Sequence, residues 1–456
     1  MKLVYQVNDR PGFAKTIVFA LQQLLAIMAA TLVVPIIING NAGLVGSNAM
    51  SPAAALFGAG VGTLVYLLFT QFKSPVFLGS SFAFIGSMTA AFAGAASVAL
   101  GYLGIILGAI FAGLVYVVIA LIVKAVGVNW LNKLMPKVVI GPTVALIGLS
   151  LAGNAIGDLQ KGSNVYLAII CGLITLAVTM LCSTFGKKMA KLIPFIIGIG
   201  GGYAFALIMT IIGNIADVNE LKMISFASFE ALTDGGVSLS TFVSFPDFTF
   251  LHALGGFEDF DLSYLLTVFV AYAPVAFVVF AEHIADHKNI SSIIEKDLLE
   301  DPGLSNTLLG DGVGSAAGAL FGGCPNTTYG ESVACVAISR NASVITILFT
   351  AIGAILVSFL SPFVAFINSI PSCVMGGVCI ALYGFIAVSG LKMIQGVDLN
   401  LNKNLFVTST ILITGIGGLS LTFGKVVITS IACALILGIL VNIMLSKSKE
   451  QSEEEK

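Results

Sequence analysis

Long apolar stretches separated by short polar connections run the length of this chain. Fourteen of them approach the ~20 residues that a helix needs to cross the hydrocarbon core of a bilayer. They centre near Ala26, Val61, Phe84, Phe111, Ala145, Leu176 and Ala204, then near Ala271, Gly314, Cys335, Gly353, Leu382, Ile413 and Leu435. The pattern predicts an all-α polytopic membrane protein with 14 spans.

The third and tenth of these segments are short and rich in Gly, Ser, Thr and Pro. They run from Pro75 to Phe84 and from Gly323 to Ser332. Neither has helical composition before its last few residues, so we expect a short extended stretch leading into a half-helix. Free backbone N–H groups at such helix starts bind carbonyl oxygens or anions. Two half-helices whose N-termini face each other would form a polar slot for a ligand. The alternative is that both segments are structural kinks that bind no ligand.

Seven spans precede an acidic connection and seven follow it, so the second half is inverted relative to the first. Such inverted repeats are typical of secondary transporters, whose sites lie near the midplane. Interrupted segments at corresponding positions, here spans three and ten, indicate where that site lies. The pattern therefore predicts a 7+7 inverted repeat built around two broken segments.

Composition and charge agree with this architecture. Of the 456 residues, 57% are hydrophobic and only 10% are charged, so the surface of the protein requires lipid as its solvent. The net charge of −2 indicates no nucleic acid partner. Cytoplasmic loops collect Lys and Arg. With the N-terminus inside, only Lys161, Lys222 and Lys425 of the 21 basic residues face outward. Both termini are predicted to be cytoplasmic.

Ionisable residues inside the spans are candidates for chemistry, because a charge at a helix centre costs ~2.5–3.5 kcal/mol. They are Glu282, His283, Asp286 and His287 in span eight, Asp311 in span nine and Glu331 in span ten. Glu282 and Asp286 are four residues apart and share a helix face. Asp286 and His287 are equally compatible with a helix end at the cytoplasmic interface.

A metal site is an alternative interpretation of the same residues. The pattern from Glu282 to His287 has suitable ligand types, but its two ligand pairs face different directions and match no zinc-protease motif. The seven cysteines show no disulfide or metal spacing. We predict no metal and no cofactor. Two buried carboxylates instead suit a proton-coupled binder of a neutral planar solute, since a carboxylate accepts two N–H bonds side by side.

Four blocks of sequence resemble the nucleobase/ascorbate transporter family, and most closely its bacterial uracil permease branch. They are Leu78-Gly-Ser-Ser-Phe-Ala-Phe-Ile85, Ala281-Glu-His-Ile-Ala-Asp286, Asp301-Pro-Gly-Leu304 and Pro325-Asn-Thr-Thr-Tyr-Gly-Glu331. The resemblance runs from about Arg10 to Ser446. It implies uracil import by proton symport, by a homodimer in the inner (cytoplasmic) membrane, in contact with lipid.

The resemblance also implies a division into two domains that alternate access to the site. The core domain would comprise 13–126 (spans one to four) and 263–368 (spans eight to eleven). The gate domain would comprise 136–216 (spans five to seven) and 371–446 (spans twelve to fourteen). Residues 217–262 would form an extracellular loop with eight acids and one lysine, and 447–456 a cytoplasmic tail.

Site roles follow from the matching motifs. Glu282 and Glu331 would hold opposite edges of the pyrimidine, and the backbone N–H groups of Phe82 and Gly330 would donate to its carbonyls. The remaining residues that the resemblance places at the site are Ser81, Tyr329, Tyr383 and, for proton coupling beside the two glutamates, Asp286.

Some positions depart from the family pattern. Asp286 stands where some uracil permeases have His, and Leu21-Gln22-Gln23 stands where many members have Gln-His. Ser332 and Ala334 replace the usual Asn and Gly after Glu331. Glu331 itself matches the uracil branch rather than the xanthine and urate branch.

Three other functions were considered. A purine (xanthine or urate) permease of the same fold is the main alternative. An anion transporter of the wider architecture is disfavoured, since carboxylates repel anions. An intramembrane enzyme would need a nucleophile and base, or converging metal ligands, and neither pattern is present.

Overall fold

A computed structural model describes residues 3–127, 134–187, 189–234, 236–423 and 426–446. Within these ranges the chain is helical apart from two small pairs of strands. The predicted cytoplasmic tail, 447–456, lies outside the described residues.

The first half contains nine helices and one strand in the described residues. They are α1 (Phe13–Ala42), α2 (Pro52–Phe69), β1 (Leu78–Ser80), α3 (Ile85–Ala93), α4 (Val98–Val126), α5 (Lys137–Ser150), α6 (Ala152–Leu159), α7 (Val165–Phe185), α8 (Met189–Leu192) and α9 (Pro194–Ala216). Several starts are fixed by side-chain caps. Ser51, Ser97 and Asn164 accept hydrogen bonds from the first-turn N–H groups of α2, α4 and α7.

Three short helices lie in the connection between the halves, and the second half then repeats the plan. The connecting helices are α10 (Ala227–Thr233), α11 (Leu239–Phe242) and α12 (Thr249–Ala253). The second half contains α13 (Leu262–Ile294), α14 (Leu304–Gly322), β2 (Asn326–Thr328), α15 (Gly330–Ser339), α16 (Val344–Ser358), α17 (Ser361–Ser369), α18 (Ser372–Ile394), α19 (Asn402–Ile416), β3 (Leu421–Phe423), β4 (Val426–Ile428) and α20 (Ser430–Leu445).

Eight helical segments in the described ranges are long and apolar enough to cross a membrane. They are Phe13–Ala42, Gly46–Phe69, Val98–Val126, Lys137–Leu159, Val165–Phe185, Pro194–Ala216, Leu262–Ile294 and Ser372–Ile394. Three shorter apolar helices, α15, α16 and α20, join them. The chain is therefore a multi-pass membrane protein.

The two broken segments, spans three and ten, fold as expected: each is a three-residue strand followed by a short helix. The strands β1 and β2 pair antiparallel, with Leu78 opposite Thr328 and Ser80 opposite Asn326. All six strand residues are buried. The prediction of an all-α inverted-repeat fold with two broken segments is confirmed.

The helices pack in two groups. In one, α14 lies against α2 and α4, α16 lies against α1 and α2, and α13 lies against α4. In the other, α18 packs against α5, α6 and α7, α9 packs against α7, and α19 packs against α5 and α20. The paired strands belong to the first group, and α5 and α20 of the second group meet α13.

Glycines allow a close approach between α2 and α14. A Cβ added at Gly62 would meet the Gly314 carbonyl oxygen at 2.7 Å, and one added at Gly58 would collide with the Gly318 carbonyl. Small residues at such crossings let helix backbones approach within membranes. This crossing places Asn326 of β2 where its side chain donates to the Gly58 carbonyl at 2.9 Å.

The acidic connection is folded against the first group. Val243 bridges Leu360, and the Ser361 hydroxyl donates to the Ser240 carbonyl at 2.9 Å. An aromatic cluster anchors it further, with Phe248 packing on Phe57.

Candidate functional site

The paired strands β1 and β2 lie at the base of the candidate site. Beyond the β1–β2 register, the Ser81 N–H donates to the Pro325 carbonyl at 2.9 Å and the Tyr329 N–H to the Phe77 carbonyl at 3.2 Å. The Thr63 side chain of α2 also accepts from the Leu78 N–H at 2.9 Å. Irregular backbone at this depth is tolerated because it is hydrogen-bonded or lines a cavity.

Each strand leads into a short helix whose start keeps free donors. The backbone N–H groups of Phe82, before α3, and of Gly330, at the start of α15, make no hydrogen bond within the described residues. The first turn of any helix leaves such N–H groups without an intrahelical partner, and the helix dipole adds partial positive charge there. Two adjacent helix starts therefore offer hydrogen-bond donors to one pocket.

The pocket lies between these helix starts, α13 and the second helix group. It is lined by Phe82, Ala83, Ile147, Glu282, Thr327, Thr328, Tyr329, Gly330, Glu331 and Ile386. The cavity that they enclose has a volume of about 30 Å³. One water molecule needs ~10–15 Å³ of such space, so the pocket is narrow.

Two glutamates from different helices share this pocket. Glu282 lies on α13 and Glu331 in the first turn of α15, and both are half-buried. Asp286, one turn further along α13, accepts a hydrogen bond from the Thr328 hydroxyl at 3.0 Å. It also approaches the start of α15, since a Cβ on Gly330 would lie 3.7 Å from its Oδ1. The arrangement places three acids beside two free backbone donors.

The two tyrosines predicted for the site take different positions. Tyr329 lines the pocket, and its hydroxyl donates to the Ser80 carbonyl at 2.7 Å, which ties the start of α15 to β1. Tyr383 of α18 is buried and contacts Phe82 edge-on, with ring centroids 5.8 Å apart. Tyr383 therefore packs against Phe82, which lines the pocket, and does not line the pocket itself.

Five predicted residues, Phe82, Glu282, Tyr329, Gly330 and Glu331, thus meet in one pocket. Ser81 lies behind it: its N–H is committed to Pro325, and its buried hydroxyl makes no hydrogen bond within the described residues. No group of metal-binding side chains occurs in the described part of the chain.

Sequence reasoning missed two kinds of site residue. Thr327 and Thr328 stand inside a motif that was already identified, so their position was a usable signal. Ile147 on α5 and Ile386 on α18 are ordinary apolar residues of apolar helices, and nothing in the sequence distinguishes them from their neighbours.

A third missed feature is a polar junction at Ser332. Its hydroxyl oxygen accepts from the Phe77 N–H at 3.1 Å and from Gln23 Nε2 at 2.5 Å, and Gln23 Nε2 also reaches the Ser332 carbonyl at 3.2 Å. Gln23 lies on α1, so three chain segments meet at one hydroxyl. Gln23 and Ser332 are two of the positions where the chain departs from the family pattern, and here they contact each other.

Replacing Ser332 with alanine should destabilise the protein by about 1–3 kcal/mol, because the buried Phe77 N–H would lose its acceptor. Thermal unfolding of the purified protein in detergent measures the loss. The matched control is Ser409→Ala on α19, where the hydroxyl bonds only to the Phe406 carbonyl of its own helix. Equal unfolding temperatures for the two variants would contradict the role given to Ser332.

Curated relatives match almost the whole chain. The uracil permease of Bacillus caldolyticus is 36% identical over 458 residues, which cover 99% of this chain and 97% of the relative. The uracil permease of Bacillus subtilis (strain 168) is 36% identical, with 98% and 96% covered. That of Escherichia coli (strain K12) is also 36% identical, with 95% and 92% covered.

Solved structures share the fold at low sequence identity. The transmembrane domain of the cyanobacterial bicarbonate transporter BicA matches with a TM-score of 0.60 and 15% identity, covering 96% of this chain and all of that one. The murine Solute Carrier 26 family member A9 anion transporter matches with a TM-score of 0.64 and 11% identity, covering 98% of this chain and 70% of that one. These similarities concern the fold alone.

A profile described as Permease family (Xan_ur_permease) matches residues 14–423, which include both broken segments and both glutamates of the pocket. Together with the full-length relatives, this match assigns the class of protein. The chain belongs to this permease family and is a transporter rather than an enzyme.

Proposed function

We propose that this protein imports uracil across the cytoplasmic membrane by proton symport. One observation carries the proposal: Glu282 and Glu331 share a pocket with the free N–H groups of Phe82 and Gly330. The names of its full-length relatives, which are uracil permeases, support the same substrate.

The chemistry of uracil matches these groups. Its ring presents N–H donors alternating with carbonyl acceptors along its edges. A carboxylate accepts N–H bonds, and a backbone N–H donates to a carbonyl. We assign the two glutamates to the ring N–H groups and Phe82 and Gly330 to the ring carbonyls. Tyr329 and Phe82 supply aromatic surface beside the ring, and Tyr383 supports Phe82.

The acids also give a reason for proton coupling. Two carboxylates facing one pocket repel each other, and a proton bound by either relieves that repulsion. Asp286 extends the acidic set along α13 and is linked to the pocket through Thr328. We assign proton coupling to Glu282, Asp286 and Glu331, with the proton and uracil leaving on the cytoplasmic side.

Transport requires the pocket to open, because about 30 Å³ does not admit a six-membered ring. Its walls come from both helix groups, with Ile147 and Ile386 on one side and the broken segments on the other. We therefore assign the first group as a core domain (13–126 and 263–368) and the second as a gate (136–216 and 371–446). The proposal includes cytoplasmic termini, an extracellular connection at 217–262 and a homodimer.

Radiolabelled uracil uptake tests this function in cells that lack their own permease. Expressing the protein should confer uptake that an uncoupler abolishes and that excess unlabelled uracil, but not xanthine, competes away. Xanthine competition would instead favour a purine permease. Uptake that is insensitive to the uncoupler but requires sodium would refute the proton assignment while leaving the substrate intact.

A further inference from the structure

A second cluster of buried polar side chains lies beside the pocket without lining it. Its members are Tyr66 on α2, Ser74 in the connection to β1, His283 and His287 on α13, and Thr307 and Asp311 on α14. All six have 0% exposure. Buried polar groups are costly unless paired, and the proposed binding of uracil uses none of these.

Hydrogen-bond direction can be assigned along one arm of the cluster. His287 Nδ1 lies 2.8 Å from the His283 carbonyl oxygen, which only accepts, so Nδ1 carries the proton. Nε2 of the neutral ring is then an acceptor, and the Tyr66 hydroxyl donates to it at 2.6 Å. The Ser74 hydroxyl in turn donates to the Tyr66 oxygen at 2.7 Å. The Ser74 hydroxyl, the Tyr66 hydroxyl and the His287 ring are therefore joined by a continuous chain of hydrogen bonds.

The other arm is a histidine–aspartate pair. The Thr307 hydroxyl donates to the Leu304 carbonyl at 3.1 Å, so His283 Nε2–H donates to Thr307 at 3.0 Å. A second proton then lies between His283 Nδ1 and Asp311 Oδ2, which are 2.7 Å apart. Whichever atom holds that proton, the pair has no net charge. The rings of His283 and His287 stack with centroids 3.9 Å apart, which joins the two arms.

The two ends of the cluster lie one residue along the chain from a pocket acid and from an exposed ion pair. His287 directly follows Asp286 on α13. At the other end, Ser74 directly follows Lys73, whose ammonium pairs with Asp301 at 2.6 Å. The side chains of this ion pair are 41% and 71% exposed. The basic residues place this ion pair on the cytoplasmic side.

Several other ionisable groups face the cluster. Tyr116 of α4 lies edge-on to His283, with ring centroids 6.5 Å apart. Asp286 and Asp311 interact electrostatically with Tyr66, and Glu282 does so with Tyr116. The phenols are neutral, and an ionised Glu282 or Asp286 nearby favours a passing proton.

We propose that His287, Tyr66 and Ser74 form the route by which the transported proton leaves for the cytoplasm, which rests on the proposed proton symport. The Asp286 carboxyl passes its proton, through one water, to His287 Nε2 once the Tyr66 hydroxyl has turned toward Ser74. Nε2–H then gives this proton to the Tyr66 oxygen while Tyr66 releases its own proton to Ser74, and Ser74 releases one to water. One proton enters the route and one leaves it, so His287, Tyr66 and Ser74 return to their starting charges. Asp286 is left as a carboxylate, ready to take up the next proton that binds with uracil.

Tyr66→Phe tests the route, because it removes the one hydroxyl that joins His287 to Ser74. In right-side-out membrane vesicles, uracil uptake driven by a proton gradient should fall about tenfold or more, as for loss of a proton-transfer group. Exchange of internal for external uracil needs no net proton release and should stay within about twofold of wild type. Tyr102→Phe is the control, since it removes a buried hydroxyl that bonds only to the Asn48 carbonyl.

Each outcome decides the matter. An equal fall in gradient-driven uptake and in exchange would show a structural defect and would overturn the proposed route. Unchanged gradient-driven uptake would also overturn it. Ser74→Ala should likewise lower gradient-driven uptake more than uracil exchange. This variant replaces Tyr66→Phe as the test if Tyr66→Phe does not fold. If wild-type protein exchanges uracil but shows no uptake linked to protons, the proposed symport fails instead.

Discussion

Glu282→Gln is expected to lower proton-driven uracil uptake by about 30-fold or more, since loss of a charge-assisted partner in the pocket costs about 2–5 kcal/mol. The glutamine keeps the shape of the side chain. The glutamine Nε2, however, donates a hydrogen bond where the carboxylate oxygen accepted one. It would therefore face a ring N–H, which is also a donor. An amide also cannot carry the proton. Uptake by cells and equilibrium uracil binding to purified protein measure the two losses separately.

The control for this variant is Glu258→Gln, in the exposed acidic connection, which should leave uptake unchanged. Glu331→Gln should resemble Glu282→Gln, since both acids line the same pocket. Full uptake by both glutamine variants would leave the transporter class intact and show that the binding site lies elsewhere.

Gly79→Ala is expected to abolish most uracil binding, because the ring of Tyr329 occupies the space that the new Cβ needs. That Cβ would collide with the Tyr329 ring carbons. The ring cannot shift freely, since its hydroxyl is bonded to the Ser80 carbonyl. Displacing Tyr329 moves the start of α15, and with it Gly330 and Glu331. Overpacking typically costs about 1–3 kcal/mol, so we expect binding to weaken about fivefold or more.

Isothermal titration of purified protein with uracil measures this loss, and Gly86→Ala is its control. A Cβ at Gly86 would only touch a Thr429 methyl group at 4.0 Å. If the clash with Tyr329 is the cause, the losses from Gly79→Ala and Tyr329→Ala should not add in the double variant. Additive losses would contradict this explanation.

Much of the architecture could be predicted because membrane insertion imposes local rules. A span must be apolar over its own length, so the centres near Ala26, Phe111 and Ala271 each fall within one observed helix. The broken segments were also visible locally, since Pro75 and Pro325 precede stretches without helical composition. The buried acids stood out because charge is rare in spans.

Other features depend on contacts between distant parts of the chain. The sequence marks Gln23 only as part of a departure from the family pattern, and the structure shows it bonded to Ser332, 309 positions away. The sequence identifies His283 and His287 as ionisable residues within a span, but it does not predict their partners on α2 and α14. Tyr383 was placed in the pocket but contacts it through Phe82.

The sequence by itself determined the solvent, the helical inverted repeat and which acids lie within its apolar segments. Each of these follows from the free energy of placing one residue or one segment in lipid, which depends on local composition. Only the tertiary structure decided which apolar residues, such as Ile147 and Ile386, close the pocket, and how Ser332 and the buried histidines are paired. Those outcomes depend on the packing of helices far apart in the chain, where many apolar residues are interchangeable and only their final positions distinguish them.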